Sequence, residues 1–411
     1  MAVILHCDLN NFYASAECVL NPALKNFAVA VAGSPRHRHG VVLAKNELAK
    51  KYGVKTGDTV WQARQKCPNI ICLPPQFKKY QEFSKQVVEI YSRFTDKIES
   101  FGPDECWLDV THSIKLFGTG KQIADKLRAI VFKETGLTIS VGVSFNKYFA
   151  KLGSDLKKPD ATTEITQENF KQLIYPLPAN NLIFIGKKTY KKLNKLNIFS
   201  IGDLANASPE LLMQHFGIIG PRMQAVASGK DTSEVMDLTH NYEQKSVGNG
   251  LTVLRNITKR SEVLSTILVL AEKVAYRMRE LGVCGKTVHL SLKDNNLFTT
   301  GHSLTKNEYT NNPQQIAKWA MEIFDAHWGN QTICLRAVRL AVSNLHSTTQ
   351  NVQQMSIFED KKQEKLKKFN NACDKIRKKY GYYSIRNANT INKDFINYFE
   401  TEKEQNETEL E

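Results

Sequence analysis

Three acidic residues pose the first question. Asp8 ends the apolar run Val3-Ile4-Leu5-His6-Cys7, and Asp104-Glu105 sit at the tip of a candidate hairpin far downstream. Carboxylates at strand ends are poorly placed for burial and well placed for a metal. Two hard divalent cations about 3.5–4 Å apart need several oxygen ligands, which neighbouring strands can supply. The chemistry served is phosphoryl transfer: one metal lowers the pKa of an attacking hydroxyl, and the other holds a triphosphate and its leaving group. An ordinary acidic turn carries the same residue types, so the trio has to be weighed with its neighbours.

The elements that must position these residues alternate. Val3 to Cys7 reads as a strand, and Phe12 to Leu20 as a helix stopped by Asn21-Pro22. Tyr80 to Tyr91 has amphipathic helical spacing. Lys97 to Phe101 and Cys106 to Val110 read as strands flanking Gly102-Pro103-Asp104-Glu105, followed by a helix (Gly120 to Glu134) and a strand (Leu137 to Val143). This order predicts a multidomain α+β chain whose first part is a ferredoxin-like sheet with helices on one face. From about Gln167 to Val235 the pattern turns helical, with glycine turns at Gly186 and at Gly217 to Gly220. Strands return between Lys245 and Leu345, with helices at Arg260 to Leu281 and Pro313 to His327, predicting a second, smaller α+β domain.

Composition narrows the partners. The chain has 411 residues, more than one core usually supports, and 42% are hydrophobic, enough for packed cores. Lys plus Arg number 56 against 41 Asp plus Glu, a net charge of +15, which favours a polyanionic partner such as nucleic acid. No apolar run is long enough to cross a membrane. Met1 to His6 lacks the basic and apolar regions of a signal peptide, so a cytoplasmic location is expected. The eight cysteines are scattered, and the C-x4-C of Cys67 and Cys72 has no second pair to complete a zinc site, so reduced core cysteines are expected.

Four motifs in order decide between readings. They are Asp8-Leu9-Asn10-Asn11-Phe12-Tyr13-Ala14-Ser15, then Ser100 to Thr111 around Asp104-Glu105, then Val141 to Leu152, then Ser154-Asp155-Leu156-Lys157-Lys158-Pro159. Together they closely resemble the Y-family DNA polymerases, in particular their DNA polymerase IV and UmuC-like bacterial branch. The match is ordered over residues 1–160 and continues more weakly to about residue 345. The resemblance implies a translesion polymerase that joins dNMP from dNTP to a primer 3′-OH, with low fidelity, no proofreading and two Mg²⁺. A palm at 1–20 and 76–166, fingers at 21–75, a helix-hairpin-helix thumb at 167–232, a linker at 233–243, a little finger at 244–345 and a flexible tail at 346–411 would follow.

Site residues are implied one by one. Asp8, Asp104 and Glu105 are the metal-binding, catalytic carboxylates, with the Leu9 carbonyl as an extra ligand. Tyr13 is the steric gate that clashes with a ribose 2′-OH. Phe12, Lys50 and Lys158 complete the dNTP site, although Phe12 is also the better core residue of the two aromatics. The fingers motif departs from the family's N-Y-x-A-R: it reads Asn46-Glu47-Leu48-Ala49-Lys50. Lys50 keeps a charge and loses arginine's bidentate fork. Glu47 puts an anion where the family has a phosphate donor, so it either pairs with a lysine such as Lys45 or Lys51 or weakens nucleotide binding.

Gly186, Gly217 and Gly220 resemble the thumb's hairpin turns, where backbone N–H groups bind phosphate. The first turn is degenerate, with Phe184-Ile185-Gly186 where Gly-x-Gly is usual. Lys245 and Arg255, with Lys259 and Arg260, are candidate phosphate contacts of the little finger. Gln354-Met355-Ser356-Ile357-Phe358 resembles a β sliding clamp peptide, with Met355, Ile357 and Phe358 as apolar anchors and Gln354 at the rim. Implied partners are therefore primer-template DNA, dNTP and the clamp, with the chain itself a monomer. Two rivals stand beside this reading: a nucleotide cyclase with a related palm, and an inactive clamp-tethered DNA-binding subunit.

Overall fold

A computed structural model describes residues 2–34, 40–238, 243–329, 334–348, 361–391 and 394–396. The chain forms two compact units, one running to Asn241 and the other from Tyr242 on.

The first unit is built on five strands: β1 (Ile4–Leu9), β5 (Ile98–Ser100), β6 (Glu105–Asp109), β7 (Ile139–Ser144) and β8 (Thr162–Ile165), in the order β5-β6-β1-β7-β8. Strand β1 is antiparallel to both neighbours, and Asp8 lies directly opposite Glu105. Alternation assigns its faces. Leu5, Cys7 and Leu9 join the core under helices α4 (Phe77–Ser92) and α6 (Gly120–Thr135), while His6 and Asp8 point the other way. Helix α1 (Phe12–Leu20) follows β1 and ends before Asn21-Pro22.

Helices were expected on one face only, but α7 (Lys147–Leu156) covers the second face over β1, β7 and β8. Asn146 starts it by accepting the Phe149 amide at 2.8 Å. Gly142 lets it close in: a Cβ there would stand 1.9 Å from the Ala150 carbonyl oxygen. Such backbone-to-backbone packing leaves the side chains of α7 directly over the end of β1.

An inserted three-stranded sheet, β3-β2-β4, uses β2 (Val29–Ala32), β3 (Val42–Lys45) and β4 (Ile71–Leu73). The short helices α2 (Glu47–Lys51) and α3 (Val60–Lys66) accompany it over a small core of its own. Helix α5 (Ile114–Phe117) lies in the sheet domain. Five helices, α8 (Phe170–Ile174), α9 (Lys187–Asn194), α10 (Ile201–Asn206), α11 (Pro209–Phe216) and α12 (Ile219–Ala227), form the helical part around Leu193, Ile201, Leu204 and Leu212. Part of the expected linker is anchored. Val235 is buried with Ile4 and Trp107, and the Met236 amide donates to Glu99 at 2.9 Å, because an apolar side chain and a free backbone donor both find partners on the sheet domain.

The second unit is an antiparallel sheet in the order β11-β10-β12-β9, made of β9 (Ser246–Ile257), β10 (Val283–Asp294), β11 (Thr299–Thr310) and β12 (Leu335–Ser347). Helices α13 (Arg260–Glu280) and α14 (Pro313–Trp328) bury its apolar face. The expected tail is partly folded. Helix α15 (Lys361–Tyr380) binds α13 through Arg279–Asp374 at 2.5 Å and Arg377–Glu272 at 3.1 Å. Phe395 and Ile396 enter the core, and the Leu254 amide donates to the Phe395 carbonyl. Asp374 and Arg377, within the residues expected to form that tail, are these partners of α13. The candidate clamp peptide Gln354, Met355, Ile357 and Phe358 lies outside the described residues. None of the eight cysteines is paired, and among the described residues no helix is long and apolar enough to cross a membrane.

Candidate active site

The end of β1, the turn before β6 and helix α7 meet at one point. The Leu9 amide donates to the Asp104 carbonyl at 3.0 Å, which ties the acidic turn to β1. Lys158 places Nζ 2.7 Å from Asp8 Oδ2 and 2.8 Å from Asp155. Lys151 places Nζ 2.9 Å from Glu105, 3.2 Å from Asp8 and 3.4 Å from Asp155. Lys151 carried no role in the sequence reading. Part of its signal was available, because Lys151 and Asp155 stand four residues apart on α7, and Lys158 follows just past its end.

Electrostatics at this point is uneven. Burial drives the Asp104 carboxyl up to about 6, and the negative charges of Asp8 and Glu105 add to the rise. Burial pushes Glu105 upward as well, but the His6 contact and the Lys151 ammonium overcome it and hold the group down at about 2. For Lys151 and Lys158, burial favours the neutral amine, and the surrounding carboxylates more than offset it. His6 is fully buried and burial holds it below its usual range. Its Nδ1 shares a hydrogen bond with Ser154 at 2.8 Å, and its Nε2 faces Glu105 at 3.3 Å.

Three carboxylates, one of them driven up by burial and then by the charge of the other two, are the kind of oxygen donor a hard divalent cation takes. The donor set is oxygen only. Among the described residues no three acidic, His or Cys side chains are drawn together as a ready-made metal cluster. The Lys151 and Lys158 ammonium groups hold Asp8 and Glu105 instead.

Beside the acids, Tyr13 stacks on Tyr80 with ring centroids 4.4 Å apart, and Phe77 meets it edge-on at 5.8 Å. Tyr80 is itself fixed by a 2.5 Å hydrogen bond to buried Glu17. Phe12 belongs elsewhere. Its side chain is buried in the core under the sheet and backs the Tyr13 ring at 5.3 Å, so as a side chain it is no part of an open nucleotide site. Its helical position turns it inward, one residue before Tyr13. Glu47 accepts from Asn11 Nδ2 at 2.9 Å and pairs with Lys50 at 3.4 Å, neither Lys45 nor Lys51 being its partner of closest approach. Lys50 is therefore engaged with Glu47 while half exposed.

Residues 7–155 match the model of the impB/mucB/samB family, and residues 244–357 match that family's C-terminal domain. A protein named DNA polymerase IV from Acetivibrio thermocellus is 46% identical over 93% of this chain and 96% of its own length. DNA polymerase IV 1 of Bacillus subtilis is 34% identical over 95% and 94%. The chain belongs to the Y-family DNA polymerases. A solved Y-family chimera of Dbh and Dpo4 superposes with a TM-score of 0.73 at 23% identity, covering 84% of this chain and 99% of that one, which agrees in fold.

Within this Y-family chain the expected DNA contacts divide. Gly186 caps α9, and a Cβ there would meet nothing within 4 Å, so its bareness serves nothing inside the fold. Gly217 ends α11 at φ +62 and is likewise open. Gly220 differs: a Cβ would stand 2.2 Å from the Leu212 carbonyl oxygen, so helix packing requires it and a phosphate-binding role is not needed to explain it. Lys245 is exposed just before β9. Arg255 pairs with Glu262 and Asp394 at 2.8 Å each, and Arg260 with Asp325 at 2.6 Å, while both arginine side chains stay about half exposed. The sequence reading named none of the positions on the sheet face turned away from α13 and α14. Its alternate positions are Thr287, His289, Ser291 and Lys293 on β10 and Ala337, Arg339, Ala341 and Ser343 on β12. Small side chains with a few cations make a smooth polar surface, and period-two alternation could have revealed it.

Proposed function

We propose that the chain is a template-directed DNA polymerase of the translesion type. The observation that carries this reading is the meeting of Asp8, Asp104 and Glu105 with Lys151 and Lys158 at one strand end, beside the stacked Tyr13. A primer 3′-oxygen attacks the α-phosphorus of a dNTP, and the bond to pyrophosphate breaks. Asp8, Asp104, Glu105 and the Leu9 carbonyl would hold two Mg²⁺, which supply a more acidic 3′-hydroxyl and charge neutralisation on the triphosphate.

The chain's own residues do the rest. Lys158 moves from Asp8 to the triphosphate and neutralises it as a point cation. Tyr13, held flat by Tyr80 and Phe77, closes the space a 2′-OH would need. Lys50 reaches the phosphates once it leaves Glu47. The polar sheet face of the second unit, with Lys293, Arg339 and Lys245, and the open amides at Gly186 and Gly217 take DNA phosphates without reading sequence. Gln354 to Phe358 is the peptide for a β sliding clamp, and the polymerase works as a monomer in the cytoplasm.

Primer extension with Mg²⁺ on undamaged and abasic templates tests this, comparing the chain with its Asp104→Ala variant. Extension by the unaltered chain alone supports the reading. DNA binding without extension, with the clamp present, would instead support the inactive DNA-binding subunit.

A further inference from the structure

Beneath the acidic cluster lies a fully buried imidazole that no step of the proposed reaction uses. His6 stands on β1 two residues before Asp8, on the face that α7 covers. Its register partners are Trp107 on β6 and Gly142 on β7. The Trp107 ring meets it edge-on at 5.1 Å. Gly142 admits a third neighbour: a Cβ there would stand 2.5 Å from the Ser154 amide nitrogen. Ser154, 1% exposed, then places Oγ 2.8 Å from His6 Nδ1. On the other side, His6 Nε2 lies 3.3 Å from Glu105 Oε2, the oxygen that Lys151 also approaches. Nε2 and Oε2 are both buried, and neither completes a hydrogen bond of good geometry.

The position of the ring proton follows from the partners. A carboxylate only accepts, so Nε2 faces Glu105 favourably only as an N–H. The Ser154 hydroxyl has one proton and two acceptors in reach, His6 Nδ1 and the Lys151 carbonyl, each at 2.8 Å. Given to Lys151, that proton forces a neutral ring to protonate Nδ1 and turn a bare Nε2 toward the carboxylate. Given to Nδ1, it leaves the ring proton on Nε2, in a charge-assisted bond roughly twice as strong as a neutral one. The second arrangement prevails. Burying two ring nitrogens carries a cost that an apolar side chain would avoid, and the bond to Glu105 is what offsets it.

We propose that His6, set by Ser154, is the positioning residue of the Glu105 carboxylate: it pins Oε2 and leaves Oε1 to the divalent cation. This deepens the two-cation reading and rests on it. Oε2 is the buried oxygen of a side chain that is 21% exposed, so what Glu105 shows to solvent is the rest of the group. A partner of this kind orients a metal ligand and tunes it without touching the metal.

The test uses the full chain and two substitutions that each keep one end of the ring. His6→Asn puts an amide where Nδ1 stood and keeps Ser154. His6→Gln reaches to where Nε2 stood and keeps Glu105. Each gives up one buried hydrogen bond, so Tm without metal should fall by a similar amount in both. Metal should separate them. The Mg²⁺ needed for half-maximal primer extension should rise about tenfold in His6→Asn and stay near the unaltered value in His6→Gln. The Tm rise produced by Ca²⁺, which needs no turnover, should shrink in His6→Asn and persist in His6→Gln. An equal metal response in the two variants, strong or weak, would overturn the proposal. A second measurement needs no variant: in the unaltered chain made with isotope-labelled histidine, nuclear magnetic resonance should find the His6 proton on Nε2, and a bare Nε2 would overturn the proposal as well. An unaltered chain with neither extension nor a metal-induced Tm rise would remove the two-cation reading, and this proposal with it.

Discussion

Lys151 Nζ lies 2.9 Å from the Glu105 carboxylate, inside the acidic cluster where a divalent cation would bind. Ammonium and metal compete for the same negative charge. Removing one partner of a largely buried pair leaves the other uncompensated, at a cost on the order of 2–4 kcal/mol. Lys151→Gln should therefore lower the Tm of the metal-free chain. Added Mg²⁺ or Ca²⁺ should raise that Tm by more than it raises the unaltered chain's. A smaller metal-induced rise in the variant would mean that Lys151 assists the metal.

Asp104 gives a pH dependence with a definite sign. Its carboxyl titrates near 6 in the folded chain against 3.8 for the ordinary group. Between those values the folded state binds more protons than the unfolded one, so stability falls as pH rises through that window. The penalty is fully present at neutral pH and absent below pH 4. After allowance for solvent screening it amounts to roughly 1–2 kcal/mol. Asp104→Asn should raise the Tm of the metal-free chain at pH 7.5 by a few degrees, with the gain fading by pH 4, and should abolish extension. An equal Tm difference at both pH values would show that charge repulsion is not its source.

Glu47 restrains Lys50 and accepts from Asn11, two residues before Tyr13. The carboxylate offers repulsion to a triphosphate and nothing to bind it. Burial raises Glu47, but the Asn11 hydrogen bond and Lys50 prevail and hold it below its ordinary range, so it is ionised at working pH. Glu47→Gln keeps an acceptor for Asn11 and frees Lys50. At about 1 kcal/mol for a solvent-exposed pair, KM for dNTP should fall about fivefold with kcat little changed. A raised KM would assign Glu47 a positive part in nucleotide binding.

Helix α15 is held to α13 by Arg279–Asp374, whose side chains are 12% and 19% exposed. Asp374→Ala leaves that arginine without its carboxylate. Hydrogen exchange should show lost protection in α15, with the five-stranded sheet of the first unit unaffected. Uniform loss across both units would show that the helix is no separate appendage.

The readability of the sequence followed the range of the interactions. Asp8, Asp104, Glu105 and the strands bearing them were legible because short-period patterns and ordered motifs mark them. Lys151 was overlooked because its role depends on Gly142 allowing α7 to approach β1, a contact between residues distant in the chain. The pairing of Arg255 with Asp394 was unreadable for the same reason, since it joins residues distant in the chain. The α15 segment misled because burial of Phe395 and Ile396 overrides a polar local composition.

Tyr13 allows the most direct test of the nucleotide site. Its ring is sandwiched against Tyr80, which Glu17 in turn fixes, so it cannot swing aside without breaking a stack and unsettling a buried hydrogen bond. A rigid ring converts one extra hydroxyl on the sugar into overlap, and overpacking of that kind costs about 1–3 kcal/mol. Discrimination of dNTP over rNTP from this ring alone is then roughly 5- to 150-fold. Tyr13→Ala should erode the ratio of kcat/KM for dNTP over rNTP by that factor, chiefly through faster rNTP incorporation. Tyr13→Phe, which keeps the stack, should preserve it. Slower dNTP use with the ratio intact would place Tyr13 among the core residues with Phe12, and the gate would have to be sought elsewhere in the site.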